Sequence, residues 1–299
     1  MRQTRRPRFR IEHKLGRGAT CEVFAAVAQD GTEVALKLAR SLPELMPDVR
    51  RCFEREVRAA RLVKSAYVPA AHDWRLAPGA PYIAFDRVRG RTLAEVLRLG
   101  PLPLGATVDL GCQLLRALRD VHAAGLLHCD VKPSNILLAP DAKRGVALML
   151  VDFGIMRDVD EPKPEDAVWT FGTPAYMSPE QVLGGALDAR SDVYSASVVL
   201  YMALTGRRPF AWSPDPKKLL WRVLGARVPA PRSVRADCPA QLEKIVLRGL
   251  ARSPDERFQS VATMRAALER FARRAELPRG QSAWDECDRA RFDEIARAA

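Results

Sequence analysis

No stretch of this 299-residue sequence stays apolar for the roughly 18 residues that a membrane-spanning helix needs. The best candidates, Val146–Val151 and Ala196–Leu204, fall well short. The Arg-rich segment Met1–Arg10 has no apolar run behind it and does not read as a secretory signal. Of the six cysteines, none forms a C-x-x-C pair and none stands beside a histidine at zinc spacing. A structural metal is therefore not expected, reduced thiols are, and the chain reads as cytoplasmic. Aromatic residues are only 7% of the chain and do not interleave with basic ones. Despite a net charge of +12, nucleic acid is thus not an expected partner. The one acid-free basic cluster, Arg2, Arg5, Arg6, Arg8 and Arg10, reads as a solvated arm over residues 1–8, with a docking arm as the alternative.

What the chain has is enough apolar material, 47%, for a sizeable core. Short apolar runs dominate the first third. Val23–Val27 and Val34–Leu38 read as strands joined at Asp30–Gly31, a hairpin turn signal. Arg50–Val63 has helical spacing, and Tyr82–Val88 is another strand-like run. Beyond it Leu93–Leu99, Val108–Ala123, Ser191–Leu204, Leu219–Leu224 and Leu242–Leu250 read as helices. Strands first and helices after predict two lobes in one α+β unit. Ser282–Asp285 has the spacing of a capping box opening a last short helix, with Trp284, Phe292 and Ile295 packing on the body.

Three stretches carry chemistry. In Leu15–Val23, Gly16 and Gly18 flank Arg17 in a turn between strands, where backbone can approach phosphates. A hairpin alone would explain them equally well. Lys37 ends Val34-Ala-Leu-Lys on a strand whose burial demands a charge partner: nucleotide phosphates, or a carboxylate from Glu56 or Glu54 of the next helix. Third, Leu127–Leu137 gathers Asp130, Lys132 and Asn135 in one short loop, and Asp152 follows 17 residues after Asn135 at a strand end. Asn135 and Asp152 make a hard oxygen site of the kind Mg²⁺ accepts when phosphates complete its shell. Asp130 is left to orient an attacking hydroxyl and accept its proton.

In order along the chain, these motifs resemble those of the eukaryotic-like protein kinases, most closely their bacterial serine/threonine branch. Gly16–Val23 is similar to the glycine-rich loop and Val34–Lys37 to the V-A-x-K strand. His128–Asn135 resembles H-R-D-x-x-x-x-N, and Asp152–Gly154 is D-F-G. Gly172–Glu180 resembles the segment ending in A-P-E, and Arg257 the arginine that pairs with its glutamate. The resemblance implies a kinase domain over 9–271, with a small lobe over 9–85, a hinge over 86–88 and a large lobe over 89–271. Residues 272–299 form an extension expected to be helical. It implies ATP and Mg²⁺ as cofactors, and a protein substrate with a Ser or Thr hydroxyl. Leu15, Val23 and Ala35 would roof the adenine, Leu137 would floor it, Phe85 would guard it, and the backbones of Asp86 and Val88 would meet its edge. Lys132 resembles the lysine of serine/threonine kinases.

The sequence departs from the family at several positions. Cys21 replaces the third glycine of the loop, Cys129 the arginine of H-R-D, and Ser197 a glycine of the core helix, while Ala60 is small for its place. None of these removes Lys37, Glu56, Asp130, Asn135 or Asp152. Two further readings compete: a nucleotide-binding pseudokinase scaffold, and a small-molecule phosphotransferase of the aminoglycoside type. The latter lacks a segment like Gly172–Glu180. Because a neutral Cys129 has no charge to satisfy, activity is expected not to depend on phosphorylation of Thr170, with another basic residue reading the phosphate as the alternative. A redox switch at Cys129 would require a lowered thiol pKa.

Overall fold

Strand β1 (Phe9–Arg17) opens the chain, and β2 (Cys21–Ala28) and β3 (Glu33–Ala39) follow as a hairpin. Gly31 closes that hairpin at φ 90°, and its N–H donates to the Ala28 carbonyl at 3.0 Å. Only glycine takes up this conformation without cost. The computed structural model describes residues 8–18, 20–40, 46–76, 81–158, 174–285 and 287. With β4 (Ala71–Arg75) and β5 (Tyr82–Asp86) the strands form an antiparallel sheet in the order β1-β2-β3-β5-β4. Strand alternation sorts its side chains. Ala26, Val34, Leu36 and Ala84 pack on one face, and Ile83 meets Val49, Phe53 and Val57 of helix α1 (Met46–Leu62) on the other. The helix starts before the predicted Arg50. Strand β4 was not anticipated, because His72, Asp73 and Arg75 interrupt its apolar pattern.

After β5 the chain becomes mostly helical. Strand β6 (Arg91–Thr92) runs into α2 (Leu93–Leu97), which opens on a capping box between Thr92 and Glu95. Helix α3 (Leu104–Ala123) leads to β7 (Leu126–Leu127), a 3₁₀ turn at Pro133–Asn135, and the hairpin of β8 (Ile136–Asp141) and β9 (Gly145–Leu150). Strand β10 (Arg157–Asp158) pairs back onto β7. The remaining helices are α4 (Pro179–Val182), α5 (Ala189–Thr205), α6 (Pro216–Gly225), α7 (Pro231–Val234), α8 (Ala240–Gly249), α9 (Val261–Arg274) and α10 (Gln281–Trp284). Helix α5 is buried on almost every side, and α3, α8 and α9 pack around it in one large apolar cluster. A small strand lobe followed by a larger helical lobe is the α+β arrangement expected. Among the described residues, no helix is long and apolar enough to cross a membrane.

Two local departures from the sequence reading have physical causes. The capping box at Ser282–Asp285 does not form. Gly280, at φ 54°, is the residue before α10, and the Ser282 hydroxyl donates to the Arg279 carbonyl instead. Trp284 does pack on the body: it is buried, and its indole N–H donates to Asp109 of α3 at 2.9 Å. Phe292 and Ile295 lie outside the described residues. The unusual Ser197 has a matching gap in α8. Its hydroxyl donates to the Val193 carbonyl at 2.7 Å, and a Cβ on Gly249 would lie 1.9 Å from it.

Candidate active site

Register brings the first site residues together. Val23 pairs with Lys37 across β2 and β3, Gly16 with Val23 across β1 and β2, and Ala35 with Phe85 across β3 and β5. Leu15 lies half-exposed on β1, while Arg17 and Gly18 stand at the end of that strand. Gly16 has no atom within 4 Å of where a Cβ would be, so the loop face beside it is open. Asp86 ends β5, two residues before Val88, and Leu137 lies on β8. The Asp86 carboxylate accepts from the Ala70 N–H at 2.9 Å and meets the His72 ring at 2.6 Å.

Lys37 extends from the face of β3 that looks at α1. Its ammonium contacts Glu56 of that helix and lies 2.9 Å from Asp152. This settles the choice left open between two glutamates: Glu54 is on the exposed side, paired with Arg50. Two carboxylates thus surround one ammonium. Burial works against the charge on Lys37, but Asp152 and Glu56 outweigh it and hold the group well above its usual range. Burial pushes the Glu56 carboxyl up to about 8, with Asp152 adding to that and Lys37 opposing. Asp152, 43% exposed, is held well below the usual carboxylate range, first by Lys37. The more solvated acid keeps the negative charge, as desolvation predicts.

The second half of the site is the loop after β7. Its backbone is fixed from behind by Asp192 of α5, whose carboxylate accepts from the N–H groups of His128 at 2.9 Å and Cys129 at 3.0 Å, and from His122 at 2.8 Å. The Gln181 side-chain amide of α4 donates to the Cys129 carbonyl at 2.9 Å. Clamped on both sides, Cys129 takes φ 63°, sparsely populated for a side chain with a Cβ. Asp130 follows, buried. Lys132 donates to its carboxylate at 2.6 Å, and the Asn135 amide donates both to that carboxylate and to its backbone carbonyl at 3.0 Å. Burial raises the Asp130 pKa, against the pull of Lys132. The Asn135 carbonyl accepts from the N–H of Val151 at 2.9 Å, which ties the loop to the approach to Asp152. Asp152 itself stands at φ 69°, and the ring of Phe153 lies 4.7 Å from that of His128.

Asp192 and Gln181 were not singled out from sequence. The available signal was a carboxylate in the first turn of α5, just ahead of its apolar run. Its targets are backbone groups more than 60 residues away, which no periodicity reveals. At Cys129, burial pushes the thiol well above its usual range, so the redox switch lacks the thiolate it would need. Thr170 lies outside the described residues.

As donors, Asn135 and Asp152 fit a magnesium ion. Both Asn135 contacts to Asp130 use its amide N–H groups, so the side-chain oxygen, met by the Ser134 hydroxyl at 3.5 Å, keeps a lone pair that could serve an ion, and Lys37 keeps Asp152 ionised. No cluster of three or more His, Cys, Asp or Glu able to hold a metal occurs among the described residues. Two protein oxygens suit a magnesium ion whose shell is completed by water or by phosphate oxygens.

A five-stranded lobe presenting an ammonium, set over a helical lobe presenting two carboxylates and an amide, defines a protein kinase. The protein kinase domain family matches residues 9–266, and the chain belongs to that family. Among proteins of known name, serine/threonine-protein kinase Pkn1 of Myxococcus xanthus is 34% identical over 263 residues, 87% of this chain and 38% of that protein. Serine/threonine-protein kinase PknL of Mycobacterium tuberculosis is 33% identical over 273 residues, 91% of this chain and 67% of that protein. The M. xanthus serine/threonine-protein kinase pkn3 is 35% identical over 275 residues, 88% and 49%.

Proposed function

We propose that the chain is a cytoplasmic, ATP-dependent serine/threonine protein kinase, with its catalytic domain over about residues 9–271. The observation that carries this reading is the meeting of Lys37, Glu56 and Asp152 beside the loop of Asp130, Lys132 and Asn135. Six cysteines outside any disulfide fit a reducing compartment. Leu15, Val23, Ala35 and Leu137 enclose the adenine, and the Asp86 and Val88 backbones meet its edge. Gly16, Arg17 and Gly18 lie over the phosphates, with Lys37 pairing to them and Glu56 holding Lys37. Asn135 and Asp152 would hold a magnesium ion, which would neutralise charge on the phosphates. Asp130 orients the acceptor hydroxyl of a Ser or Thr in a protein substrate and takes its proton. The acceptor oxygen bonds to the γ-phosphorus as the bond to the β–γ bridging oxygen breaks and ADP leaves. Lys132 offsets charge on the transferring group. Most of the catalysis is positioning, which the clamped loop after β7 supplies together with the Lys37–Glu56 pair.

The test is transfer of labelled phosphate from ATP to myelin basic protein, followed by phosphoamino-acid analysis. Phosphoserine or phosphothreonine is expected. Nucleotide binding without transfer would sink the reading in favour of a pseudokinase scaffold. A second measurement needs no turnover. Asp152→Ala is expected to weaken Mg²⁺-dependent ATP binding by tenfold or more in calorimetry, since the ionised member of the oxygen pair is gone.

Cys129 makes a further expectation specific to this chain. Where the family has a guanidinium that awaits a phosphate, this loop has a buried neutral thiol and is already clamped by Asp192 and Gln181. Thr170→Ala and phosphatase-treated wild type should both keep most of the wild-type rate in steady-state kinetics. A hundredfold drop in both, restored by phosphorylation in the wild type alone, would show that another basic residue reads a phosphate there.

A further inference from the structure

Helix α6 buries Leu219 and Val223, one turn apart, against the body of the large lobe. At 100° per residue the opposite face is Trp221, flanked by Lys217 and Lys218. Trp221 is 73% exposed. The loop before the helix carries a second tryptophan, Trp212, 61% exposed. Arg222 fastens that loop to the helix, donating to the carbonyls of Ala211 at 2.6 Å and Trp212 at 3.1 Å. Beside α6 packs the short helix α4, and the residue that follows it, Leu183, is 67% exposed. Isolated exposed leucines are ordinary, but two exposed tryptophans held on one rigid element are not.

The stretch of chain that carries them is strongly basic. Residues 193–236 contain eight basic side chains and a single acid, Asp215. That acid caps α6, its carboxylate accepting from the Lys217 N–H at 2.9 Å. Among the described residues no carboxylate pairs with Lys217, Lys218 or Arg207. The face also adjoins the chemistry. Gln181 of α4 is hydrogen-bonded to the carbonyl of Cys129, the residue before Asp130. A chain docked across α6 and Leu183 therefore lies one packed element from the proposed acceptor site.

We infer that the outer face of α6, with Trp212, Trp221, Lys217 and Lys218, is a docking surface for an acidic, apolar-bearing segment of a protein partner. Tryptophans supply large, stiff anchors and the lysines select for carboxylates. A lipid surface fits less well. Leu219 and Val223 are spent on the protein body, and Trp212, Trp221 and Leu183 are too few to make the broad apolar face that an interfacial helix sinks among acyl chains. That the partner includes phosphoacceptor proteins rests on the kinase reading; the surface itself does not.

The experiment measures binding without turnover, so loss of kinase activity and loss of this surface are separately visible. A fluorescein-labelled 16-residue peptide of Asp, Glu, Leu and Phe is titrated with the full chain and read by anisotropy. The same peptide with Asn and Gln for the acids, and sedimenting phosphatidylcholine vesicles with one-fifth phosphatidylserine, serve as comparisons. The acidic peptide should bind at least tenfold more tightly than the neutral one. The Trp212→Ala/Trp221→Ala variant should lose at least tenfold, as should Lys217→Glu/Lys218→Glu, with unchanged melting curves because all four side chains are exposed. Vesicles should not carry the protein down. Equal affinity of the acidic peptide for both variants and wild type would overturn the assignment. So would equal binding of the two peptides, or vesicle binding lost in the variants while the peptide fails to bind.

Discussion

Asp130→Asn is expected to bind ATP as the wild type does and to transfer phosphate some ~10²–10⁴-fold more slowly, the range that a positioned proton acceptor supplies. The substitution is nearly isosteric. The amide can still meet Asn135 and sit in the same buried place, but it cannot accept the acceptor's proton, and it no longer attracts Lys132. The burial that raises the Asp130 pKa makes the carboxylate a better base and also sets a limit on the acid side. Below its raised pKa the group is protonated and idle. The acid limb of kcat/KM should accordingly fall above the ordinary aspartate range of about 4 and be absent from the residual activity of Asp130→Asn. Steady-state rates over a pH series, with ATP affinity measured separately by calorimetry, check both statements. Turnover like that of the wild type would remove Asp130 from the role proposed.

Arg257→Ala is expected to cost about 3–5 kcal/mol of stability, the usual result of stripping one partner from a buried ion pair. Arg257 has no exposed surface, and all five of its N–H groups are used. Two go to Glu180 at 2.8 Å, and the others to the carbonyls of Ala251, Arg190 and Arg252. Removing it leaves a carboxylate and three carbonyls to find new partners, and also bares the ring of Tyr194, over which the guanidinium lies at 4.9 Å. The melting temperature should fall by on the order of 10 °C for a domain of this size, well before ATP affinity changes. The same pair predicts acid sensitivity. Arg257 and Ser191 outweigh the burial of Glu180 and depress its pKa. Its contribution is present above the ordinary glutamate range and is lost as pH falls through the lowered value. A thermal unfolding curve unchanged by the substitution would contradict this account.

Much of the fold was legible because its elements follow simple periods. The β2–β3 hairpin is announced by Asp30–Gly31, and α1 by Phe53 and Val57. What escaped has specific reasons. Helix α9 spaces Val261, Met264, Leu268 and Phe271 correctly for an amphipathic helix, but arginines crowd the spaces between them and weaken the apolar signal. Strand β4 is stabilised by pairing to β5 rather than by its own residues. At Ser282 a local capping pattern lost to Gly280, whose backbone begins the helix earlier. In the site, residues within short motifs could be named and those acting across the fold could not. Lys37 implies some partner, but only packing selects Glu56 over Glu54. Asp192 and Gln181 act on backbone groups, and backbone groups leave no mark on sequence.

The fit of Ser197 against Gly249 couples two helices at one point. A methyl group at 249 and a hydroxyl at 197 would claim one volume, so the two positions cannot be varied independently. Gly249→Ala must displace the Ser197 side chain, whose hydroxyl is given to the Val193 carbonyl, whereas Ser197→Gly would first clear the space. What position 249 can hold is thus set from α5, although 249 is far in sequence from every residue proposed to meet a substrate.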